Sequence, residues 1–280
     1  MHRVTKESFD RVLSYMEDDL PNCLYLYGDM VRYGIDDPNI TVWYGERAGK
    51  INAVVMKYFT GAHVYSKNLD YDLDEVIAKA EETDADRISS QREIAEVLYS
   101  RLHKTYDVEY GYVFRLKKYR ELKSPVKIER ASASDAKKIA ALLMTSDFFA
   151  HSYREDKLAE ELEDRLRRGI GRSYIMRDGE RIVGHDGVNL ETERYAVESL
   201  AMVHADYRNT LYGAFLESFM INDLGKEGKD LYCMLVSERR IKAFEKMGNE
   251  PCAAYGKLFR RKISQVKERS ANEKSSENTD

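Results

Sequence analysis

A chain of 280 residues exceeds the usual single-domain length, so two domains of ordinary size are expected. With 43% hydrophobic and 34% charged residues and only 4 prolines, it reads as a soluble globular chain rather than a disordered or secreted one. A net charge of −4 excludes a non-specific binder of phosphate backbones, and no apolar run approaches the roughly 20 residues that cross a bilayer.

The N-terminus MHRVTKESFD is charged where a signal peptide is apolar, so a cytoplasmic location without membrane contact is the expectation. Cys23, Cys233 and Cys252 lack the spacing of a zinc site or a disulfide framework. They read as buried thiols, and no metal is expected.

Along the chain, Phe9, Val12, Leu13 and Met16 recur at helical spacing, and a second helix follows Pro21 and Asn22 as far as Tyr33. Three β-rich runs come next: Ile40–Tyr44, Ile51–Phe59 and Ala62–Ser66. A helix over Leu73, Val76, Ile77 and Ala80, a strand Asp86–Ser90, a helix Ile94–Leu102 and a strand Tyr110–Leu116 complete an ααβββαβαβ order. Periodicity lapses over 117–124, the expected linker.

Beyond it lie a strand Val126–Arg130, a helix Asp135–Met144 capped by Ser134, and a helix Tyr153–Arg168 with Leu158, Leu162 and Leu166 on one stripe. Strands Arg172–Met176 and Ile182–Leu190 flank the turn signal Asp178-Gly179, and Tyr195–Val203 follows. A helix Tyr212–Lys226, a strand Leu231–Val236, a helix Glu238–Met247 ended by Gly248, and a strand Ala253–Phe259 close the pattern. The order is βααβββαβαβ. Apart from its first strand it repeats the N-terminal half, as an internal duplication would. The expected division is 1–122, 125–262 and a disordered tail 263–280.

The segment YAVESLAMVHADYRNTLYGAFLE, Tyr195–Glu217, joins a strand to a helix through a short basic loop. Unpaired N–H groups at a helix start, with the positive end of its dipole, accept a pyrophosphate, and Arg208 adds a fixed charge. Within it, LAMVHADYRNTLYGAFL resembles the acyl-CoA motif of the GNAT N-acetyltransferase superfamily: a hydrophobic strand, then Arg/Gln-x-x-Gly-x-Gly/Ala, then a helix. Arg208 takes the first position, Leu211 stands in place of the middle glycine, and Gly213 is the last glycine. VSERRIKAFEKMGNEP resembles the family's later helix, with Phe244, Glu245, Lys246, Met247 and Gly248 fitting and Asn249 in place of Phe. The likeness covers residues 126–261, and the N-terminal half resembles that of a clostridial-type two-part group.

The resemblance implies an α/β (α+β) chain of tandem GNAT-like domains, each a mixed, mostly antiparallel sheet flanked by helices, the first domain degenerate. It implies acetyl transfer from acetyl-CoA, as cosubstrate, to a small-molecule or peptide amine, by a monomer or homodimer with no nucleic-acid partner. The alternative is a non-catalytic acyl-CoA-binding or regulatory module. Met202 and Val203 would pair their backbone with the pantetheine arm, and Ala201, Arg208, Asn209, Leu211, Tyr212, Gly213, Ser237 and Phe244 complete the expected cofactor site.

An amine must lose a proton to attack a thioester, so Glu198 and Glu191 are the candidate bases. Alternation puts Glu198 on the face of Leu200 and Met202. Phe244 occupies the position of the family's proton-donating tyrosine, which leaves Tyr212, Tyr255 or water for the leaving thiolate. His185 and His204 titrate near neutral pH when unperturbed, though isolated histidines are more often structural. In the N-terminal half the matching loop SKNLDYDLDE carries Asp70, Asp72 and Asp74, which repel phosphate, so that half is not expected to bind CoA. Tyr25, Tyr27, Tyr33, Trp43, Tyr44 and Tyr58 are candidates for an acceptor cleft at the domain junction.

Overall fold

The computed structural model describes residues 1–116, 122–208 and 210–261. The expected tail 263–280, Asn209 and part of the expected linker lie outside the described residues.

The first half runs β1 (His2–Arg3), α1 (Lys6–Met16), α2 (Leu20–Tyr33), β2 (Ile40–Arg47), β3 (Lys50–Tyr58), β4 (Gly61–Tyr65), α3 (Leu73–Glu82), β5 (Arg87–Gln91), α4 (Arg92–Leu102) and β6 (Tyr106–Arg115). The second runs β7 (Ile128–Arg130), α5 (Ala136–Met144), α6 (Asp147–Ser152), α7 (Glu155–Arg168), β8 (Arg172–Asp178), β9 (Arg181–Glu191), β10 (Tyr195–Val203), α8 (Tyr212–Gly225), β11 (Asp230–Leu235), α9 (Glu238–Lys246) and β12 (Pro251–Arg260). The strand β1, too short for a periodic signal, supplies the element that the repeat lacked. The turn before α5 is capped by Ser132 rather than Ser134: its capping box pairs with Asp135, whose carboxylate accepts the Ser132 N–H at 3.0 Å. Gly179 sits at φ 57° in the predicted hairpin turn, a conformation that favours glycine.

Among the described residues the strands join in one 12-stranded sheet of order β1-β2-β3-β4-β5-β12-β6-β11-β10-β9-β8-β7. Exchanging each strand with the one six places later in sequence maps this order onto itself. The two halves are therefore related by a pseudo-twofold axis between β12 and β6. Across that axis they exchange their last strands: β12 lies between β5 and β6, and β6 between β12 and β11. Among the described residues only β4 with β5 and β10 with β11 run parallel. The sheet is thus mixed and mostly antiparallel, as expected, but continuous through both halves.

Period-2 alternation sends neighbouring residues to opposite faces, and the packing follows it. Val54 and Met56 bury against α1 and α2, while Val55 and Ala53 bury against α3 and α4. In the second half Ile182 packs with α5 and α7, and Val183 with α8. One face therefore carries α1, α2, α5 and α7, and the other α3, α4, α8 and α9.

The halves are also tied by charge. Arg165 on α7 is 3% exposed and lies 3.2 Å from the fully buried Asp29 of α2 and 3.4 Å from Glu161. It also donates to the Asn189 carbonyl. Cys23 and Cys233 are buried and no disulfide joins the cysteines; Cys252, expected to be buried, is exposed, its Sγ 3.3 Å from the Val113 carbonyl. It starts the last strand, before that strand enters the core. Among the described residues no helix is long and apolar enough to cross a membrane.

Candidate active site

The site begins with an irregularity in β10. Its pairing with β9 shifts register between Val197 and Glu198 and again between Ser199 and Met202. Leu200 lies at φ 63°, a left-handed conformation that costs a non-glycine residue about 1 kcal/mol or more.

His185 holds this bulge. Its Nδ1 is 2.8 Å from the Leu200 carbonyl and its Nε2 3.0 Å from the Ser173 hydroxyl. Burial pushes the imidazole pKa down to about 4, so the ring is neutral. A carbonyl only accepts, so Nδ1–H donates to Leu200 and Nε2 accepts from Ser173. His185 is a structural clasp, and His204, bonded to Arg181 and the Asp206 N–H, lies outside the cleft lining.

The bulge reverses the alternation. Leu200 and Met202 pack with α5 and α7, whereas Glu198 turns to the opposite face, 2.8 Å from Arg240 of α9. Alternation along an uninterrupted pleat would put all three side chains on one face.

Past this point β10 and β11 part. Their register runs from Tyr195 opposite Asp230 to Glu198 opposite Cys233 and stops, although both strands continue. A cleft of about 670 Å³ passes through the opening, between Ser199–Val203 and Met234–Ser237. Met202 pairs with His185, and the His204 N–H donates to Val183 at 2.8 Å, so the pleat directs Ala201 and Val203 backbone groups into the opening.

The opening leads to the start of α8, where Gly213 lines the cleft. A Cβ there would meet only Val203 Cγ2 at 3.7 Å, an ordinary contact, so packing does not demand glycine; its absent side chain leaves the helix N-terminus bare. Arg208 before α8 and Arg239 in the first turn of α9 also line the cleft, and neither has an ion-pair partner among the described residues. Two free guanidinium groups and a helix dipole make this end of the cleft an anion site.

Of the residues expected to hold cofactor, Ala201, Met202, Val203, Arg208, Gly213 and Ser237 line the cleft. Asn209 lies outside the described residues. Leu211, the residue before α8, is 63% exposed and outside the lining, so its side chain does not fill the space that a glycine would leave. Tyr212 stacks on Tyr207 beyond the lining, ring centroids 5.5 Å apart. Phe244 is core: it packs edge-on against Phe114 at 5.7 Å, since its stripe of α9 faces the sheet.

Glu191 is drawn away from the cleft into a cationic cluster, 2.6 Å from Arg172 and paired with Lys229. Glu198 reaches the cleft, but one oxygen is held by Arg240, which also binds Glu217 at 2.9 Å. Asp186 is buried beside them, one oxygen unpartnered. Burial, then the charges of Glu198 and Glu217, push its pKa well above the carboxylate range.

The folded state thus keeps a proton that the unfolded chain releases near pH 4, so stability falls as pH rises through that window. Asp186→Asn should flatten this decline, giving a melting temperature closer to constant between pH 5 and 8. Parallel pH profiles of wild type and variant would show Asp186 to be unimportant here.

The N-terminal half lacks the equivalent opening. β4 ends at Tyr65, and the next N–H, of Ser66, donates to Gln91 Oε1 at 3.0 Å, closing the gap to β5. Asp72 caps α3 by accepting the Glu75 N–H, and Asp70 pairs with Arg47 at 2.5 Å. A carboxylate already occupies that helix start.

That half instead supplies a wall of the cleft: Tyr25, Tyr58, His63, Arg87, Ser89 and Glu109. Tyr25 and Tyr58 were among the expected aromatics. Tyr33 bonds the Tyr58 hydroxyl at 2.9 Å from outside the lining, whereas Trp43 and Tyr44 lie under Lys79 and Arg11. His63, Arg87, Glu109, Glu161, Arg165 and Lys257, also in the lining, were not singled out from sequence because no local motif carries them.

No protein-family model and no curated protein matches the sequence. Solved structures do share its architecture. A GCN5-related N-acetyltransferase-like protein from Streptococcus suis is similar with a TM-score of 0.60 over 91% of this chain and 99% of its own, at 9% identity. A protein from Drosophila gives 0.62 over 93% and 98%, at 12% identity. A tandem GNAT protein from the clavulanic acid biosynthesis pathway gives 0.58 over 92% and 96%, also at 12%.

Proposed function

Because the chain has the fold of the tandem GCN5-related N-acetyltransferases, we propose that it is an acetyl-CoA-dependent N-acetyltransferase with a single cofactor site, in its second half. The observation that carries this reading is the parting of β10 from β11 beyond Glu198 and Cys233, in line with the anion site at α8. Ala201 and Val203 would pair with the pantetheine arm, and Arg208, Arg239 and the start of α8 would take the phosphates. The thioester would then lie near the bulge, where the cleft opens to the face of α2 and α7. Tyr255 lines that side, and burial keeps its hydroxyl protonated well beyond the ordinary range, so it would offer the leaving thiolate a hydrogen bond while water supplies the proton.

A ligand at about 100 times its Kd adds roughly 2.7 kcal/mol to stability, so acetyl-CoA should raise the melting temperature by several degrees. The double variant Arg208→Ala/Arg239→Ala should lose most of that shift while melting normally without ligand. Absence of any shift with CoA or acetyl-CoA would end the proposal. The core position of Phe244 and the occupied carboxylate of Glu198 favour one other reading, a non-catalytic acyl-CoA-binding module. Acetyl-CoA binding without thiol release over an amine panel would select it.

A further inference from the structure

Resting on the acyl-transfer reading, we propose that the acceptor is a small amine that also bears a carboxylate and an apolar group, with Glu109 receiving its ammonium and Lys257 its carboxylate. His63, Ser89, Lys257 and Glu109 are successive register partners on β4, β5, β12 and β6. Directly opposed residues on neighbouring strands share a face, and all four line the cleft, so they form a polar row across its floor. The row exists only because the halves exchange strands: β12 brings Lys257 between Ser89 of one neighbour and Glu109 of the other.

The charges left open in this row define the ligand. Arg165 is matched by Asp29 and Glu161; Arg87 lies 3.7 Å from Glu161 with its guanidinium over Tyr153. Glu198 is held by Arg240. Lys257 and Glu109 are half-buried, and neither has an ion-pair partner within 4.0 Å among the described residues. The Lys257 ammonium lies 5.9 Å from the Phe259 ring centre, so one cation and one carboxylate, side by side and neither in an ion pair, complement a zwitterion. A polyamine would need several open carboxylates, and the others in the lining are taken.

His63 adds no charge: burial, then Lys257 and Arg87, hold it neutral, and it stacks with Tyr25 at 5.8 Å. Tyr25, Tyr58, Phe148, Phe149 and Tyr153 supply apolar walls above the floor.

In the reaction the bound ammonium gives one proton to Glu109. The amine nitrogen attacks the thioester carbonyl carbon, the C–N bond forms, and the C–S bond breaks with its electron pair on sulfur. The second proton lost from nitrogen balances the one taken up by the thiolate, and Glu109 returns its proton to water. Amide, thiol and one proton result.

The test pairs apolar amino acids with their decarboxylated amines, phenylalanine with phenethylamine and leucine with isoamylamine, against the full-length protein. Calorimetry reads acceptor binding alone, and thiol release from acetyl-CoA reads turnover. Expected are a kcat/KM at least tenfold higher for the amino acid of a pair and loss of that preference in Lys257→Met. Glu109→Gln should lower kcat at least 100-fold with KM for acetyl-CoA preserved. Equal use of the amines, or an unchanged preference in Lys257→Met, overturns the proposal. Amino-acid binding without acetyl-CoA binding overturns the acyl-transfer reading alone. Acetyl-CoA binding with neither amino acid bound or acetylated overturns the acceptor class alone.

Discussion

Arg165→Met should lower the free energy of unfolding by about 3–5 kcal/mol, the range for removing one partner of a buried ion pair. The guanidinium is 3% exposed and has Asp29, Glu161 and the Asn189 carbonyl as partners, with the Tyr58 ring 4.5 Å from its centre. Methionine keeps much of the volume but leaves Asp29 buried without a cation and Glu161 with Arg87 alone, 3.7 Å away. Asp29 already reports the strain of that environment: burial lifts its pKa to about 6 despite the adjacent arginine, and one of its oxygens has no partner.

The sign of the pH effect follows. A raised folded-state pKa means that no penalty exists below the unfolded value near 4, and that the full penalty is present above the folded value. Losing the cation raises the folded value further, so the variant's deficit should be larger at pH 8 than at pH 5 in urea titrations. A loss under about 1 kcal/mol at pH 8 would show that the cluster does not couple the halves. Asp29→Asn in the Arg165→Met background should restore much of the loss, because Glu161 keeps Arg87 at 3.7 Å and no buried carboxylate is then left unpaired.

The end of the cleft proposed to take the cofactor was legible as a local arrangement in the sequence because its residues are contiguous. A strand, a basic loop and a helix start are contiguous from Tyr195 to Gly213, and the observed β10 and α8 begin where the periodicity put them. Backbone recognition needs only the strand itself. The acceptor side was not legible. His63, Ser89, Lys257 and Glu109 lie on four strands, and their adjacency depends on which strand β12 pairs with, a choice that alternation does not encode.

Glu198 shows a subtler failure. Its strand, its span and its place in the cleft were readable, but a bulge with Leu200 at positive φ inverts the side-chain parity halfway along β10. No glycine of β10 marks that bulge, although Gly187 faces it from β9, where a Cβ would lie 2.8 Å from the Ser199 carbonyl oxygen. The bulge's other signals are the buried His185 on β9 and Ser173 on β8, which are spatial partners rather than sequence neighbours. Glu191 failed for a similar reason, since the cations that claim it, Arg172 and Lys229, flank it only in the fold.

The same bulge sets up the second large expected effect. Val203→Pro should weaken acetyl-CoA binding at least fivefold while changing the melting temperature little. The register of Met202 with His185 and the bond from His204 to Val183 point the Val203 N–H into the opening rather than toward β9. Proline therefore removes a donor that the sheet does not use, as at an edge strand. A ligand carbonyl left without its donor costs about 1–3 kcal/mol, which is roughly five- to 150-fold in affinity. Met202→Pro is the contrasting variant, since its N–H faces β9, and it should lower stability outright. Calorimetric titration beside thermal melts separates the two. Wild-type affinity in Val203→Pro would mean that the pantetheine arm does not run along β10, and the binding mode built on the parted strands would have to be abandoned.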